Sequence, residues 1–287
     1  MAINRFERQE PLFGKEGQNR INNAHVAIIG AGGLGSHVIQ QLAFLGVGCL
    51  SIIDPEDLDG TNLNRLIGAR WDDPIPGTKK VDIAKRLVNS IDPSIKVNTL
   101  SCKLMSKEAF SEIKKSNYVF GCLDNDGSRL ILNELCIAFE IPYFDLASDI
   151  IIDDSLSYGG RVFVNFDNNG CLYCYDLISV QDAGKELSSL SAQRDFEKIY
   201  GVSKEYLKGT GPSVVSINGI IASLAATEFM VMITGLRSPS RLLCYHGHLG
   251  GIVNKNIEGP SNKDCYYCKS VRGSRDKANV ERYYKEQ

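Results

Sequence analysis

The chain has 287 residues, of which 43% are hydrophobic and 23% charged, as expected for a globular protein with one large α/β domain or two smaller ones. A formal net charge of -2 argues against non-specific nucleic-acid binding, which depends on a strong basic excess. The opening MAINRFERQEPLFGKEGQ has no apolar stretch of signal-peptide length, and no apolar run suggests a membrane span. We therefore expect a cytoplasmic protein that uses neither nucleic acid nor a membrane.

In the first half of the chain, strand-like runs alternate with helical patterns. After a helical arm at 1–24, strands are predicted at 25–30, 49–54, 96–100, 117–124 and 141–147. Helices are predicted between them at 33–46, 78–91, 106–116 and 127–140, the third of them capped by Ser106. This alternation indicates an α/β fold with a doubly wound, Rossmann-like, mostly parallel sheet over residues 25–148.

The pattern changes in the second half, residues 149–287. The segments SYGGRVFVNF, RLLCYH and GGIVNKNI predict strands that complete the sheet in antiparallel fashion. Residues 176–212 are polar, and we expect a mobile or partly ordered segment there. A long, largely buried helix follows over 212–235 and ends at Gly235. We interpret the whole chain, 1–287, as a single domain.

A glycine-rich turn, GAGGLGS, lies between the first predicted strand and helix. Its glycines allow a tight turn and let a phosphate approach the backbone at a helix N-terminus. Asp54 ends the second strand, 24 positions after Gly30, where a carboxylate can bind ribose hydroxyls. The turn thus predicts a nucleotide site but does not choose between NAD and ATP. The candidate turn residues are Gly30, Gly32, Gly33 and Gly35.

Residues after the second and fourth strands favour ATP. TNLNR and GTKK place amides and cations near the ribose strand, and CLDN places a carboxylate at the carboxyl end of a later strand. Ligands of open α/β sheets bind at that edge, where cations can neutralise phosphates and a carboxylate can hold Mg²⁺. The candidate residues are Asn62, Asn64, Arg65, Lys80, Asp124 and Asn125.

Nine cysteines occur, four of them in two CxxC pairs, CLYC and CYYC. Four thiolates form a closed tetrahedral Zn²⁺ site with a structural role. Such a metal would join two parts of the chain separated by about ninety residues. The predicted ligands are Cys171, Cys174, Cys265 and Cys268.

Taken together, GAGGLGS, Asp54, TNLNR, GTKKV and CLDN resemble the adenylation domain of the ubiquitin-activating-enzyme superfamily. Its bacterial members include the molybdopterin-synthase and thiamine-pathway sulfur-carrier adenylyltransferases. The resemblance implies an enzyme that binds ATP–Mg²⁺ and the C-terminal glycine of a ubiquitin-like or sulfur-carrier protein. The carrier carboxylate would attack the α-phosphate to give an acyl-adenylate and pyrophosphate, and residues 149–287 would form the carrier-binding half.

The resemblance also implies roles for individual residues. Asp54 would hold the ribose, Asp124 would bind Mg²⁺, and Asn62, Arg65 and Lys80 would bind phosphates. Arg8, in the segment RFERQ, would reach the ATP of the partner in a homodimer. Many bacterial members also carry the two CxxC pairs, which supports zinc. The expected catalytic set is Arg65, Lys80, Asp124 and Arg8.

The chain departs from one pattern of the family, because no cysteine lies between Cys174 and Cys244. A thioester in the segment before the long helix is therefore not expected. Serines at 188, 189 and 191 would be weak nucleophiles without a base, and His246 and His248 are more typical of a structural pair.

Four other functions stay open at this point. The chain could be the activating enzyme of a bacterial ubiquitin-like conjugation system, or a peptide-adenylating enzyme of ribosomal-peptide antibiotic biosynthesis. A non-catalytic scaffold subunit and an NAD dehydrogenase are less well supported, because neither explains Arg65, Lys80 and Asp124 together.

Overall fold

The computed structural model describes residues 4–152, 156–187, 212–255 and 264–284. Within these residues eight strands form one sheet in the order β3-β2-β1-β4-β5-β6-β7-β8. Strands β1 to β5 pair in parallel, and β5 to β8 pair antiparallel, so the predicted mixed α/β fold is confirmed. The strands are β1 His25–Ile29, β2 Cys49–Ile53, β3 Lys96–Leu100, β4 Tyr118–Gly121, β5 Tyr143–Ile152, β6 Leu156–Asn165, β7 Leu242–His246 and β8 Gly251–Asn254.

Helices cover both faces of the sheet, because the parallel strands are apolar on both sides. One layer consists of α1, α2, α3 and the long helix α7, and the opposite layer of α4, α5 and α6. The helices are α1 Glu10–Asn22, α2 Gly33–Leu45, α3 Lys80–Ile91, α4 Lys107–Lys115, α5 Asp126–Phe139, α6 Val180–Leu187 and α7 Val215–Thr234.

Side-chain caps fix the start of two helices on the α5 side of the sheet. Ser106 Oγ accepts a hydrogen bond from Ala109 N at 3.1 Å, as the sequence predicts. Asn125 Oδ1 accepts from Ser128 N at 2.8 Å and so starts α5 directly after β4. These contacts satisfy amide groups that have no partner within the helix.

The structure adds to the prediction in two places. β5 continues to Ile152, beyond the predicted end at 147, because it pairs with β6 along its whole length. Part of the polar segment 176–212 forms α6, which packs against α5 through Ala183. The remainder, 188–211, lies outside the described residues, and the three serines considered above lie there too.

Helix α7 corrects one expectation. By length and composition alone its twenty residues suffice to cross a membrane, contrary to the prediction that no run would. The helix is apolar because it packs against α1, α2, β5 and β6. Within it, the fully buried Phe229 contacts the stacked rings of Phe120 and Phe144.

The C-terminal segment is held to α5 by a buried carboxylate. Glu134 is completely buried on α5, where it accepts hydrogen bonds from Arg282 Nη2 at 2.5 Å and from the Tyr283 hydroxyl at 2.8 Å. The Tyr284 ring packs edge-on against Phe110 of α4. The last described residues thus cover the α4–α5 layer.

Candidate active site

A cavity of about 1300 Å³ opens at the carboxyl ends of the parallel strands and extends across β5, β6 and β7. It lies where the chain switches from the helix layer of α2 to that of α5, the usual ligand position in such sheets. Most of the predicted site residues line it: Gly30, Gly32, Gly33, Asp54, Asn62, Arg65, Lys80, Asp124 and Asn125. Gly35, Asn64 and Arg8 do not belong to this lining.

The glycine turn forms the floor of the cavity. Gly30 has φ +93°, a conformation that residues with a side chain rarely adopt, and a Cβ there would collide with the carbonyl of Cys122, the residue directly after the neighbouring strand β4. A Cβ on Gly33 would lie 2.7 Å from Asn218 Nδ2 and 3.1 Å from Arg65 Cγ. Gly35 faces the protein rather than the cavity, because its Cα packs against the carbonyl of Gly30.

Asp54 is 5% exposed at the end of β2. Its two oxygens accept hydrogen bonds from Ala31 N at 2.7 Å and from Glu56 N at 2.8 Å, which fixes the carboxylate beside the turn. Burial raises the pKa of Asp54 above its ordinary value, although these amides and the Lys80 ammonium oppose the shift. A fixed carboxylate at this position can accept hydrogen bonds from ribose hydroxyls.

A short helical turn, Gly60–Asn62, presents Arg65 to the cavity. Asn62 Oδ1 accepts from Asp59 N at 3.2 Å, and Asp59 Oδ1 accepts from Thr61 N at 2.8 Å. Arg65 Nη1 donates to the carbonyl of Thr61 and to Asn64 Oδ1, the latter at 3.2 Å. Asn64 therefore orients the Arg65 guanidinium rather than lining the cavity itself.

Lys80 and Asp124 approach the cavity from opposite walls. Lys80 begins α3, is 7% exposed, and forms an ion pair with the more exposed Glu56. Asp124 is exposed in the loop between β4 and α5, where Asn125 Nδ2 donates to its Oδ1 at 3.1 Å. The cavity thus brings the cationic groups of Arg65 and Lys80 together with carboxylate oxygens, the group types suited to binding phosphates and a hard divalent cation.

Arg8 is exposed on the N-terminal segment, at the opposite end of the sheet from the glycine turn. Its neighbours define this position: Phe6 packs on Gly46 at the end of α2, and Arg5 pairs with Asp92 at the end of α3. Arg8 therefore lies outside the cavity of its own chain.

Sequence reasoning missed several cavity residues. Arg129 on α5 and Arg161 on β6 both bind the buried Asp145, and Asn218 on α7 accepts a hydrogen bond from Ser148 at 2.9 Å. A signal was available, because Asp145 interrupts the apolar run IPYFDLA and Asn218 lies in an apolar helix. Buried polar residues of this kind need specific partners.

The two histidines of the second half, His246 and His248, also line the cavity, at the end of β7. Their ring centroids lie 6.0 Å apart, and His248 Nδ1 lies 3.3 Å from the carbonyl of Tyr158. These contacts place the pair on the wall formed by the antiparallel strands, away from the glycine turn.

The four paired cysteines come together as predicted, and their sulfur atoms all lie within 4.8 Å of one another. The Sγ–Sγ distances are 3.6 Å for Cys171–Cys265 and 3.8 Å for both Cys171–Cys174 and Cys174–Cys268. Four sulfurs at about 2.3 Å from a central ion form a tetrahedron with edges of about 3.8 Å. The cluster therefore has the ligands and dimensions to bind a metal ion.

Known proteins match this chain over most of its length. A model described as the ThiF family matches residues 6–269. The adenylyltransferase and sulfurtransferase MOCS3 of Dictyostelium discoideum is 31% identical over 272 residues, which cover 93% of this chain and 57% of that protein. The MOCS3 of Culex quinquefasciatus is 27% identical over 270 residues, which cover 93% of this chain and 55% of that protein. The chain thus spans little more than half the length of these curated relatives.

Solved structures show the same fold. Escherichia coli MccB in complex with MccA-N7isoASN has a TM-score of 0.70 and 21% identity, with 93% of this chain and 75% of that chain covered. MccB with ATP has a TM-score of 0.68 and 20% identity over the same shares. At 20–21% identity, this similarity shows that the chains share a fold.

Proposed function

Because the chain belongs to the ThiF family, we propose that it is an ATP-dependent adenylyltransferase acting on a ubiquitin-like or sulfur-carrier protein. It would convert the C-terminal glycine carboxylate of that carrier into an acyl-adenylate and release pyrophosphate. The single observation that carries this proposal is the cavity in which the glycine turn, Asp54, Arg65, Lys80 and Asp124 meet. The MOCS3 relatives are named as adenylyltransferases, which supports the same chemistry.

The reaction needs positioning and charge stabilisation more than proton transfer. The carrier carboxylate is already ionised, so it attacks the α-phosphorus without a general base, and the bond to pyrophosphate breaks as the acyl–phosphate bond forms. In our proposal the glycine turn accommodates the phosphates, Asp54 holds the ribose, and Asn62, Arg65 and Lys80 bind phosphate oxygens. Lys80 would exchange its Glu56 partner for a phosphate, since Glu56 is mostly exposed.

Two metal ions belong to the proposal in different roles. Mg²⁺ would neutralise the triphosphate charge, and the exposed carboxylate of Asp124 would hold it, since Mg²⁺ prefers carboxylate and phosphate oxygens. Zn²⁺ would occupy the cysteine cluster, whose four sulfurs leave no open ligand position and so imply a structural role.

We place the carrier on residues 149–287, because β5, β6 and β7 extend the cavity beyond the nucleotide residues. The chain would act as a homodimer in which Arg8 of each copy reaches the ATP of the other. The exposed position of Arg8, away from the cavity of its own chain, fits such a role. We place the enzyme in the cytoplasm, in keeping with a carrier and ATP as its substrates.

The test is ATP–pyrophosphate exchange with the purified chain and a carrier ending in glycine. Asp124→Ala and Arg65→Ala should reduce exchange at least a hundredfold, because each removes a charge that faces the phosphates. Asp72→Ala and Arg70→Ala are matched controls, since both residues are exposed and neither lines the cavity. Wild-type exchange rates in both site variants would refute the assignment.

The same assay separates the main proposal from a peptide-adenylating enzyme, which the likeness to peptide-bound MccB raises. A ubiquitin-like carrier and a short synthetic peptide are offered in parallel as the carboxylate substrate. Exchange that depends on the folded carrier supports the main proposal, and exchange with the peptide alone supports the alternative.

A further inference from the structure

Asp145 is a completely buried carboxylate within β5, and it binds two arginines of the cavity wall. Arg129 Nη1 donates to Oδ1 at 2.7 Å, Arg161 Nη1 donates to Oδ2 at 2.6 Å, and the Tyr143 hydroxyl donates to Oδ1 at 2.9 Å. Burial alone would raise the pKa of Asp145, but the two guanidinium groups outweigh burial and hold that pKa below its ordinary value. Asp145 is therefore an anion at neutral pH.

Each arginine has a second contact with a backbone carbonyl. Arg129 Nη2 donates to the carbonyl of Leu123, the residue directly before Asp124. Arg161 Nη2 donates to the carbonyl of Leu177 at 2.8 Å, three positions after Cys174. A continuous path of hydrogen bonds thus joins the loop of Asp124 to the segment that follows the first cysteine pair.

Two further contacts join the same parts of the chain. Ser179 N donates to Asp126 Oδ2 at 2.8 Å, and Gly127 N donates to Glu186 Oε2 at 2.6 Å. Residues 177–187 are therefore docked on residues 123–127 at the start of α5. Asp145 lies at the centre of this arrangement because it is the shared partner of both arginines.

We propose that Asp145 is a positioning residue for the adenylation reaction, which orients the Asp124 loop through Arg129 and docks residues 177–187 through Arg161. The inference rests on the proposed function. Asp145 itself contacts no substrate, so its effect would pass through the loop whose carboxylate binds the metal–ATP complex. If Asp145 lost its negative charge, the guanidinium groups of Arg129 and Arg161 would be left without a counter-ion in a buried site. Arg129 would then move and release the Leu123 carbonyl.

The test compares Asp145→Asn with Glu134→Gln. Glu134 is a matched control because it is equally buried and is bound by an arginine and a tyrosine, but it joins α5 to the C-terminal segment instead of the Asp124 loop. Both variants should lower Tm. Asp145→Asn alone should raise the Kd of ATP–Mg²⁺, measured by calorimetric titration, and the KM for ATP in pyrophosphate exchange, each at least tenfold.

Equal ATP–Mg²⁺ affinity in the two variants would overturn the inference while leaving the proposed function intact, provided that the wild type binds ATP. A wild type that binds no ATP would overturn both. If Asp145→Asn does not fold, Arg129→Lys serves instead, because lysine keeps the charge but cannot contact Asp145 and Leu123 together. It should raise the half-saturating Mg²⁺ concentration at least fivefold, and an unchanged value would refute the role of Asp145.

Discussion

At the scale of single residues, the candidate site depends on side chains held in place by the backbone around them. Asp54 shows this most clearly, since both of its oxygens are fixed by amides of the turns that follow β1 and β2. Asn64 and Asn125 have supporting roles, one orienting Arg65 and the other capping α5. The sequence pointed to most of the residues that line the cavity but could not separate cavity-facing groups from supporting ones.

The buried position of Asp54 leads to a prediction about pH. Because burial raises its pKa, Asp54 becomes protonated at a higher pH than an ordinary aspartate does on acidification. Its protonated form has one fewer acceptor for the ribose, so ATP affinity should fall as pH falls through this raised pKa. Because the pKa of Asp54 is higher in the folded than in the unfolded state, ionised Asp54 lowers the free energy of unfolding at neutral pH. This loss of stability disappears as the pH falls through the raised pKa.

Asp54→Asn should lower ATP affinity at neutral pH roughly tenfold, the scale of one hydrogen bond to a charged group. It should also abolish the part of the pH dependence that Asp54 causes. ATP titrations at a series of pH values, from neutral pH down to the ordinary pKa of an aspartate, would measure both effects. Asp72→Asn is the control, because Asp72 lies outside the cavity. Any pH dependence caused by the protonation of ATP itself will be the same in both variants. Identical profiles for Asp54→Asn and the control would contradict the ribose role.

At the scale of secondary-structure elements, the cysteine cluster connects segments that are distant in the sequence. Cys171 and Cys174 follow β6, whereas Cys265 and Cys268 lie in the last part of the chain. Arg272 Nη2 adds a contact with Cys268 Sγ at 3.7 Å. The cysteines pack in the same core as α5, the helix that begins directly after the Asp124 loop.

Loss of the proposed Zn²⁺ should destabilise the fold without removing any nucleotide contact. Cys268→Ser should abolish bound zinc, measured as metal per chain. It should also lower the free energy of unfolding by about 3 kcal/mol or more, the scale expected for opening a long cross-linked loop. Cys49→Ser is the control, because Cys49 begins β2 far from the cluster in the sequence and should retain full zinc. Equal zinc content in the two variants would exclude the cluster as the metal site.

At the scale of the whole molecule, the proposed homodimer makes a prediction that one chain alone cannot meet. If Arg8 acts in the site of the partner, each site contains Asp124 of one chain and Arg8 of the other. Arg8→Ala and Asp124→Ala then each remove one of these two residues. Mixed dimers of the two variants contain one site with both residues intact. After unfolding and refolding together, equal amounts should recover about a quarter of wild-type exchange activity, since half of the dimers are mixed.

Either variant refolded by itself is the control and should stay inactive. Recovery of activity in the mixture would be incompatible with Arg8 acting in its own chain. A mixture as inactive as its components, in a preparation that size-exclusion chromatography shows to be dimeric, would remove Arg8 from the catalytic set.

The sequence by itself determined the order of strands and helices, the mixed sheet, the glycine turn and the two cysteine pairs. These features are local, because turn geometry, alternating hydrophobicity and ligand spacing depend on neighbouring residues. Only the tertiary structure showed that Asp145 binds Arg129 and Arg161, that Gly35 packs inward, and that Arg8 does not line the cavity of its own chain. Local sequence patterns do not reveal these features because they depend on how separate elements pack: Arg129 lies on α5, Asp145 on β5 and Arg161 on β6.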